Sequence, residues 1–230
     1  MLVYYSLMPR AKRQSPGGLV YHVLNRANAR QAIFHEFSDY EAFEKILAEG
    51  LAKIPMRLTG YCLMSNHWHL LLWPYHEGDL SVFMHWITMT HTQRWHAVHR
   101  TIGTGHLYQG RFKSFPVQSE SHYLTALRYI ESNPFRAGLV KSSSHWMWGS
   151  LAIRKGLAKN GVAIADGPVE LPDNWDALVD ILPWEDDLQK IERCIRRGAP
   201  LGRDDWVEKI AERLLLTSTL RARGRPKKGS

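Results

Sequence analysis

Cysteines, acidic side chains and long apolar runs are all scarce in this sequence, and each shortage excludes something. Only Cys62 and Cys194 occur, with no metal-type spacing between them, so a disulfide framework is not encoded and a reducing compartment is expected. Even the apolar run Leu70 to Trp73 falls far short of the ~20 residues a membrane-spanning helix needs. The opening MLVYYSLM lacks a basic leader and a small-residue cleavage site, so it does not read as a signal peptide, and Met8 is an alternative start. These features predict a cytoplasmic protein.

Acids are outnumbered, 22 against 30 Lys and Arg, for a formal charge of +8 and a pI near 9.6. That balance favours a polyanionic partner. Its distribution is uneven, because the last ten residues, RARGRPKKGS, hold Arg221, Arg223, Arg225, Lys227 and Lys228 and no acid. This basic stretch is expected to be a disordered tail that meets phosphate, with a solubilising role as the plain alternative. The remaining 220 residues carry only +3. With 44% hydrophobic residues over 230 positions, the chain can bury a core as one large domain with an appendage.

What is there centres on residues 56–74, MRLTGYCLMSNHWHLLLWP, two strand-like runs meeting at Ser65-Asn66. Side chains alternate along a strand, so His67 and His69 share a face, with Cα atoms about 6.6 Å apart. The pair forms a pincer that contains no acid and no cysteine. Two histidines facing water on a half-buried strand are the plain alternative.

Elsewhere, LVYHVLNR (residues 19–26) reads as a first strand, and Ser38-Asp39-Tyr40-Glu41 matches a capping box opening a helix with Phe43, Ile46, Leu47 and Leu51 on its apolar face. Asp79 is placed to cap a second helix over Leu80–Val98, with a stripe of Leu80, Phe83, Met84, Ile87, Trp95 and Val98. Its His85, His96 and His99 lack the i, i+4 spacing around an acid that a metallo-hydrolase helix shows. Residues 112–117 turn strand-like, with Arg111 and Lys113 beside aromatics, where phosphate could be met or an edge strand could simply be solvated.

A further helix is predicted over Ser121–Ser132, capped by Ser119 or Ser121 and ended before Pro134. Tyr123, Leu124, Leu127 and Ile130 form its core stripe. Tyr129 and Asn133 stand one turn apart, about 40° on the ~100° helical projection, and away from the centre of that stripe. The plain reading is a boundary tyrosine beside a helix-ending amide. Beyond residue 150, Leu188, Ile191 and Ile195 predict one amphipathic helix and Trp206, Ile210 and Leu214 another, after the linker GLAKNGVAIADGPVELPDN. The expected organisation is a domain over 1–150, a helical extension over 151–220 and the tail over 221–230.

The ordered set GYCLMSNHWHLLLWP, GHLYQGRFKSFPVQ, LRYIESNPFRAGLV, the Trp146/Trp148 pair and LRARGRPKK resembles the REP-associated tyrosine transposases, single-tyrosine members of the HUH superfamily of single-strand DNA nucleases. The likeness runs from about Met8 to Lys228. It departs where the family often reads NRGN and this chain reads NRAN, with Ala27. The resemblance implies an α+β fold, an antiparallel sheet of about five strands with helices packed on it, the histidine strand central and the tyrosine helix across the sheet edge. It implies that His67, His69 and Asn133 hold a divalent cation, Mg2+ or Mn2+, and that Tyr129 attacks DNA. It also implies a substrate of single-stranded or hairpin DNA, the repetitive extragenic palindromes, cut and rejoined through a 5′-phosphotyrosine. Basic residues nominated for DNA are Arg26, Arg111, Lys113 and Arg136 near the site and Arg221, Arg223 and Arg225 in the tail. No membrane or nucleotide cofactor is expected, and the chain could act as monomer or homodimer. Two other readings stay open: a DNA-binding protein with a dormant nuclease site, and a metal-dependent hydrolase using water.

Overall fold

The structure, a computed structural model, describes residues 14–181 and 185–221. The expectations for MLVYYSLM, Met8, Arg223 and Arg225 lie outside the described residues. Strand β1 (Val20–Arg26) leads through a loop to helix α1 (Phe37–Lys53), the hairpin β2 (Met56–Met64) and β3 (His67–Pro74), and helix α2 (Asp79–Val98). Strand β4 (Lys113–Val117), helix α3 (Ser121–Glu131) and the single turn α4 (Asn133–Arg136) follow. The C-terminal part adds α5 (Ser150–Arg154), α6 (Trp175–Asp180), α7 (Glu185–Arg197), α8 (Asp204–Arg213) and α9 (Thr217–Leu220).

Four strands, among the described residues, form one antiparallel sheet in the order β2-β3-β1-β4. The fold is α+β as expected, but the sheet has four strands rather than about five. Both outer edges are covered by irregular chain. At β2, Leu63 N–H donates to the Trp148 carbonyl at 2.9 Å and Ala165 N–H to that of Leu58 at 2.9 Å. At β4, the Leu201 backbone exchanges bonds of 2.9 and 2.8 Å with Pro116 and Gln118. These contacts pair part of each edge.

The histidine strand is internal and buried on both faces, which its sequence allows because Trp68, Leu70 and Leu72 alternate with His69 and Leu71, all of them buried. One face carries Tyr21, Val23, Tyr61, Leu63, Trp68 and Leu70 and packs under α1 and α2 through Phe43, Leu47, Phe83, Met84 and Ile87. Each fully buried side chain of this size contributes about 1.5–3 kcal/mol. The opposite face carries Cys62, Met64, Leu71 and Phe115 under α3, with Trp175, Ile191, Cys194 and Leu201 from the C-terminal part closing the same cluster. Helix α3 therefore crosses the sheet face, not its edge. It comes close because of Gly60: a Cβ there would overlap Leu127 Cδ1, at the register irregularity between Leu58 and Gly60.

Local signals are shifted by a residue or two. Helix α1 begins at Phe37, where the Asp39 carboxylate accepts from the His35 and Glu36 backbone at 2.8 and 3.2 Å. Asp79 is the first residue of α2 behind Gly78, and its carboxylate accepts from His76 N–H at 2.8 Å. Glu120, not a serine, precedes α3. Val98 is 73% exposed and leaves the predicted stripe, whereas His91 is buried in it.

Candidate nucleic-acid cleavage site

Register builds the site. Residues paired across antiparallel strands share a face, so rows run across the sheet on the α3 side: Met64, His67, Arg26; then Cys62, His69, Leu24, Lys113; then Gly60, Leu71, His22, Phe115. Two of the predicted cations thus stand in the same rows as the histidines, Arg26 directly opposite His67 and Lys113 two strands from His69. Sequence alternation alone placed His67 and His69 together; pairing added Arg26, Lys113 and one residue that had not been singled out, His22.

His67 and His69 sit with ring centroids 5.1 Å apart at 84°. The His69 ring is 3% exposed. Its Nδ1 lies 2.8 Å from Nε2 of His22, which is fully buried. The Nδ1 of His67 meets Asn66 Oδ1 at 2.6 Å. Because a carboxamide oxygen can only accept, His67 donates from Nδ1 and keeps its lone pair on Nε2. Asn66 is oriented in turn, its amide nitrogen donating to the Arg30 carbonyl at 3.1 Å. The Ser65-Asn66 turn is gripped from outside by the loop after β1: Ala27 N–H donates to the Asn66 carbonyl at 2.9 Å, and Ile33 and Phe34 N–H to the Ser65 carbonyl at 2.8 and 3.1 Å. The contact is made with the Ala27 side chain in place and buried.

Burial holds these imidazoles neutral. Desolvation, then Arg26 and Arg136, lowers His67 to about 4, and desolvation lowers His22 to about 3. His69 is held well below the usual range by burial first and by His22, His67, Arg136 and Arg26 after it. The same two arginines make the rim electropositive.

Tyr129 arrives from α3. It is 8% exposed and packs on the histidines, with its ring 5.8 Å from that of His69 and 6.0 Å from that of His22. It therefore belongs to the buried face rather than standing away from it. Helix period alone could not show this, because the groups it packs against come from two other strands. Arg136, seven residues further on, lays its guanidinium over the Tyr129 ring at 4.2 Å from the centroid. Asn133 donates its amide nitrogen to the Tyr129 and Ile130 carbonyls at 2.9 and 3.3 Å, so the helix-ending role expected of it is present and its side-chain oxygen is left over for another partner. The helix is braced from behind by buried Glu131, which accepts from Ser150 Oγ at 2.5 Å and Trp175 Nε1 at 2.7 Å and faces Arg154 at 3.5 Å.

The other nominated residues are dispersed. Arg111 is exposed and lines a depression of about 520 Å³ with Asn25, His85, Thr92 and Gln109. Arg221 is exposed at the end of the described chain. The α2 histidines serve separate contacts: His91 Nδ1 meets the Tyr108 hydroxyl at 2.5 Å, His96 meets Thr101 at 2.7 Å, and His99 meets Asp39 at 2.8 Å. No group of three His, Cys, Asp or Glu suited to a metal occurs among the described residues. No helix among them is long and apolar enough to cross a membrane.

The sequence profile described as "Transposase IS200 like" matches residues 17–133, a span that holds β1, the histidine hairpin, β4, the tyrosine and Asn133. The chain belongs to the IS200-like transposase family. It is therefore placed among DNA-processing enzymes. A REP-associated tyrosine transposase bound to a REP hairpin is similar in fold, at 17% identity and a TM-score of 0.52, covering 70% of this chain and 94% of that one. A Deinococcus radiodurans protein assigned to the transposases aligns at 12% identity and a TM-score of 0.39, over 57% of this chain and 95% of that one. No curated protein matches the chain.

The donors on these elements are of a kind that suits a divalent cation. His67 has an imidazole lone pair free on Nε2, Asn133 has an uncommitted amide oxygen, and both imidazoles of the pair are neutral, which coordination requires. Two nitrogens and one hard oxygen leave open positions for phosphate and water.

Proposed function

We propose that this chain nicks and rejoins single-stranded or hairpin DNA through a covalent 5′-phosphotyrosine on Tyr129. The observation that carries the reading is the packing of Tyr129 against His69 beneath the Arg136 guanidinium, which sets a nucleophile, a cation and neutral metal donors at one place on a basic surface.

His67, His69 and Asn133 would hold the cation. A bound Mg2+ or Mn2+ supplies Lewis-acid polarisation of a nonbridging phosphate oxygen and a template for in-line geometry; the amide oxygen and open positions favour these ions over Zn2+. Arg26 and Arg136 bracket the histidines and offset phosphate charge. The Tyr129 hydroxyl attacks phosphorus, the P–O3′ bond breaks, and the proton released by the phenol ends on the departing 3′-oxygen. A 5′-phosphotyrosyl enzyme and a 3′-hydroxyl result. The new phosphodiester keeps the energy of the old one, so a 3′-hydroxyl can reverse the step and join strands without ATP.

The REP hairpin carried by the structural neighbour, and the sequence motifs shared with that group, support a REP-type palindrome as substrate. Lys113, Arg111 and the basic tail with Arg221, Arg223 and Arg225 would hold flanking phosphates. We take residues 1–150 as the nuclease domain, 151–220 as a helical extension and 221–230 as a DNA-binding tail, in a cytoplasmic protein. The chain would act as a monomer or homodimer.

The test is cleavage of an end-labelled REP-type hairpin with Mn2+ by wild type and Tyr129→Phe, resolved on a denaturing gel. A protein-linked DNA band that vanishes in the variant is expected. Free products that persist in Tyr129→Phe would mean a water nucleophile, and binding without cleavage by either protein would mean a dormant site.

A further inference from the structure

His22 lies outside the constellation of nucleophile and metal donors, yet it is fully buried and its Nε2 is 2.8 Å from Nδ1 of His69. Its other nitrogen, Nδ1, has no hydrogen-bond partner among the described residues. Two neutral imidazoles meeting nitrogen to nitrogen share one proton, and only two arrangements exist. In one, His22 donates from Nε2, so His69 carries its own proton on Nε2 and has no lone pair to offer there. In the other, His69 donates from Nδ1 and is left with a free lone pair on Nε2. The neighbouring His67 is locked in the second form by the Asn66 oxygen.

We propose that His22 is the positioning residue of the metal site: it accepts the Nδ1 proton of His69, fixing the tautomer and ring orientation in which His69 presents Nε2 to a divalent cation. This rests on the reading of His67 and His69 as metal donors. His22 and Asn66 then perform the same service for the two arms of the pincer, one with an imidazole nitrogen and one with an amide oxygen. The arrangement follows the general rule that a ligating histidine gives its second ring proton to an acceptor. In this tautomer the second proton position of His22 is the buried Nδ1, which has no partner among the described residues. His22 also packs edge-on against Phe115, with ring centroids 4.9 Å apart.

The experiment has two arms. In the first, Mn2+ affinity is measured without DNA, by electron paramagnetic resonance, for wild type, His22→Gln, His22→Phe and the control His67→Ala. Loss of an outer-sphere acceptor of this kind weakens metal binding by about 10- to 100-fold. That loss is expected in His22→Phe, with partial recovery in His22→Gln, whose amide oxygen can accept. Unchanged affinity in His22→Phe would overturn the proposal. Unchanged affinity in His67→Ala would instead overturn the metal site itself, and this proposal with it. In the second arm, long-range 15N–1H correlation of the wild type with saturating Mg2+ reads the ring protons directly, so it decides even where a variant fails to fold. His69 protonated at Nδ1 is expected; His69 protonated at Nε2 would refute the assignment.

Discussion

The guanidinium of Arg136 covers the ring of Tyr129, Cζ lying 4.2 Å from the ring centroid, while Nη2 donates to the Tyr129 carbonyl at 3.2 Å. One side chain thus ties the α4 turn to the backbone of α3 and sets a permanent cation against the phenol. Contacts of this type are worth about 0.5–2 kcal/mol, and each 1.36 kcal/mol of transition-state stabilisation is a factor of ten in rate. Arg136→Ala is expected to slow formation of the covalent adduct by ~10-fold in single-turnover gels at a temperature where both proteins are folded, with the melting temperature lowered by a few degrees. Equal rates in the two proteins would remove Arg136 from the chemistry.

Asn133 uses its amide nitrogen on two backbone carbonyls. In Asn133→Asp that donor becomes an acceptor facing acceptors, which destabilises the metal-free protein by about 1–3 kcal/mol. The carboxylate is nevertheless a stronger ligand for Mg2+ or Mn2+. Added Mn2+ should therefore raise the melting temperature of Asn133→Asp more than that of the wild type, and should raise that of Asn133→Ala least. A common shift in all three would show that residue 133 does not touch the ion.

Gly60 lets α3 settle on the sheet, since an added Cβ would overlap Leu127 Cδ1. Overpacking of this kind costs about 1–3 kcal/mol. Gly60→Ala should lower stability in urea by that amount. It should also slow DNA cleavage, because Leu127 and Tyr129 ride on the same helix and shift together. The double variant Gly60→Ala, Leu127→Ala tests the cause: relief of the overlap should recover part of the cleavage rate.

Glu44 gives the pH dependence a definite sign. Burial pushes its carboxyl from near 4.5 up to about 7, against the Tyr61 hydroxyl, which donates to it at 2.6 Å. Between these values the folded protein keeps a proton that the unfolded chain has released, so Glu44 makes stability fall as pH rises from about 4.5 through 7. The shift corresponds to about 3 kcal/mol once the group is ionised. Glu44→Gln removes the dependence. Melting temperatures at pH 5 and pH 8 should show the variant gaining several degrees on the wild type across that interval, and a gap that stays constant would contradict the assignment.

Local periodicity settled more of this protein than its fold required. A two-residue repeat fixed His67 and His69 on one face, and a 3.6-residue repeat put Tyr129 and Asn133 one turn apart, a relation that survives although α3 ends at Glu131 and α4 starts at Asn133, because both depend only on local backbone geometry. The four described strands, the helices after them and the two C-terminal amphipathic helices were legible for the same reason. The tertiary structure decided everything that joins elements. Strand register brought His22 behind His69 and Arg26 opposite His67, the grip of the 27–34 loop turned Asn66 onto His67, and the close approach at Gly60 buried Tyr129 against the histidines. Those relations arise from pairing and packing between segments far apart in the chain, as His22 and His69 or His69 and Tyr129 are, so no local window contains them.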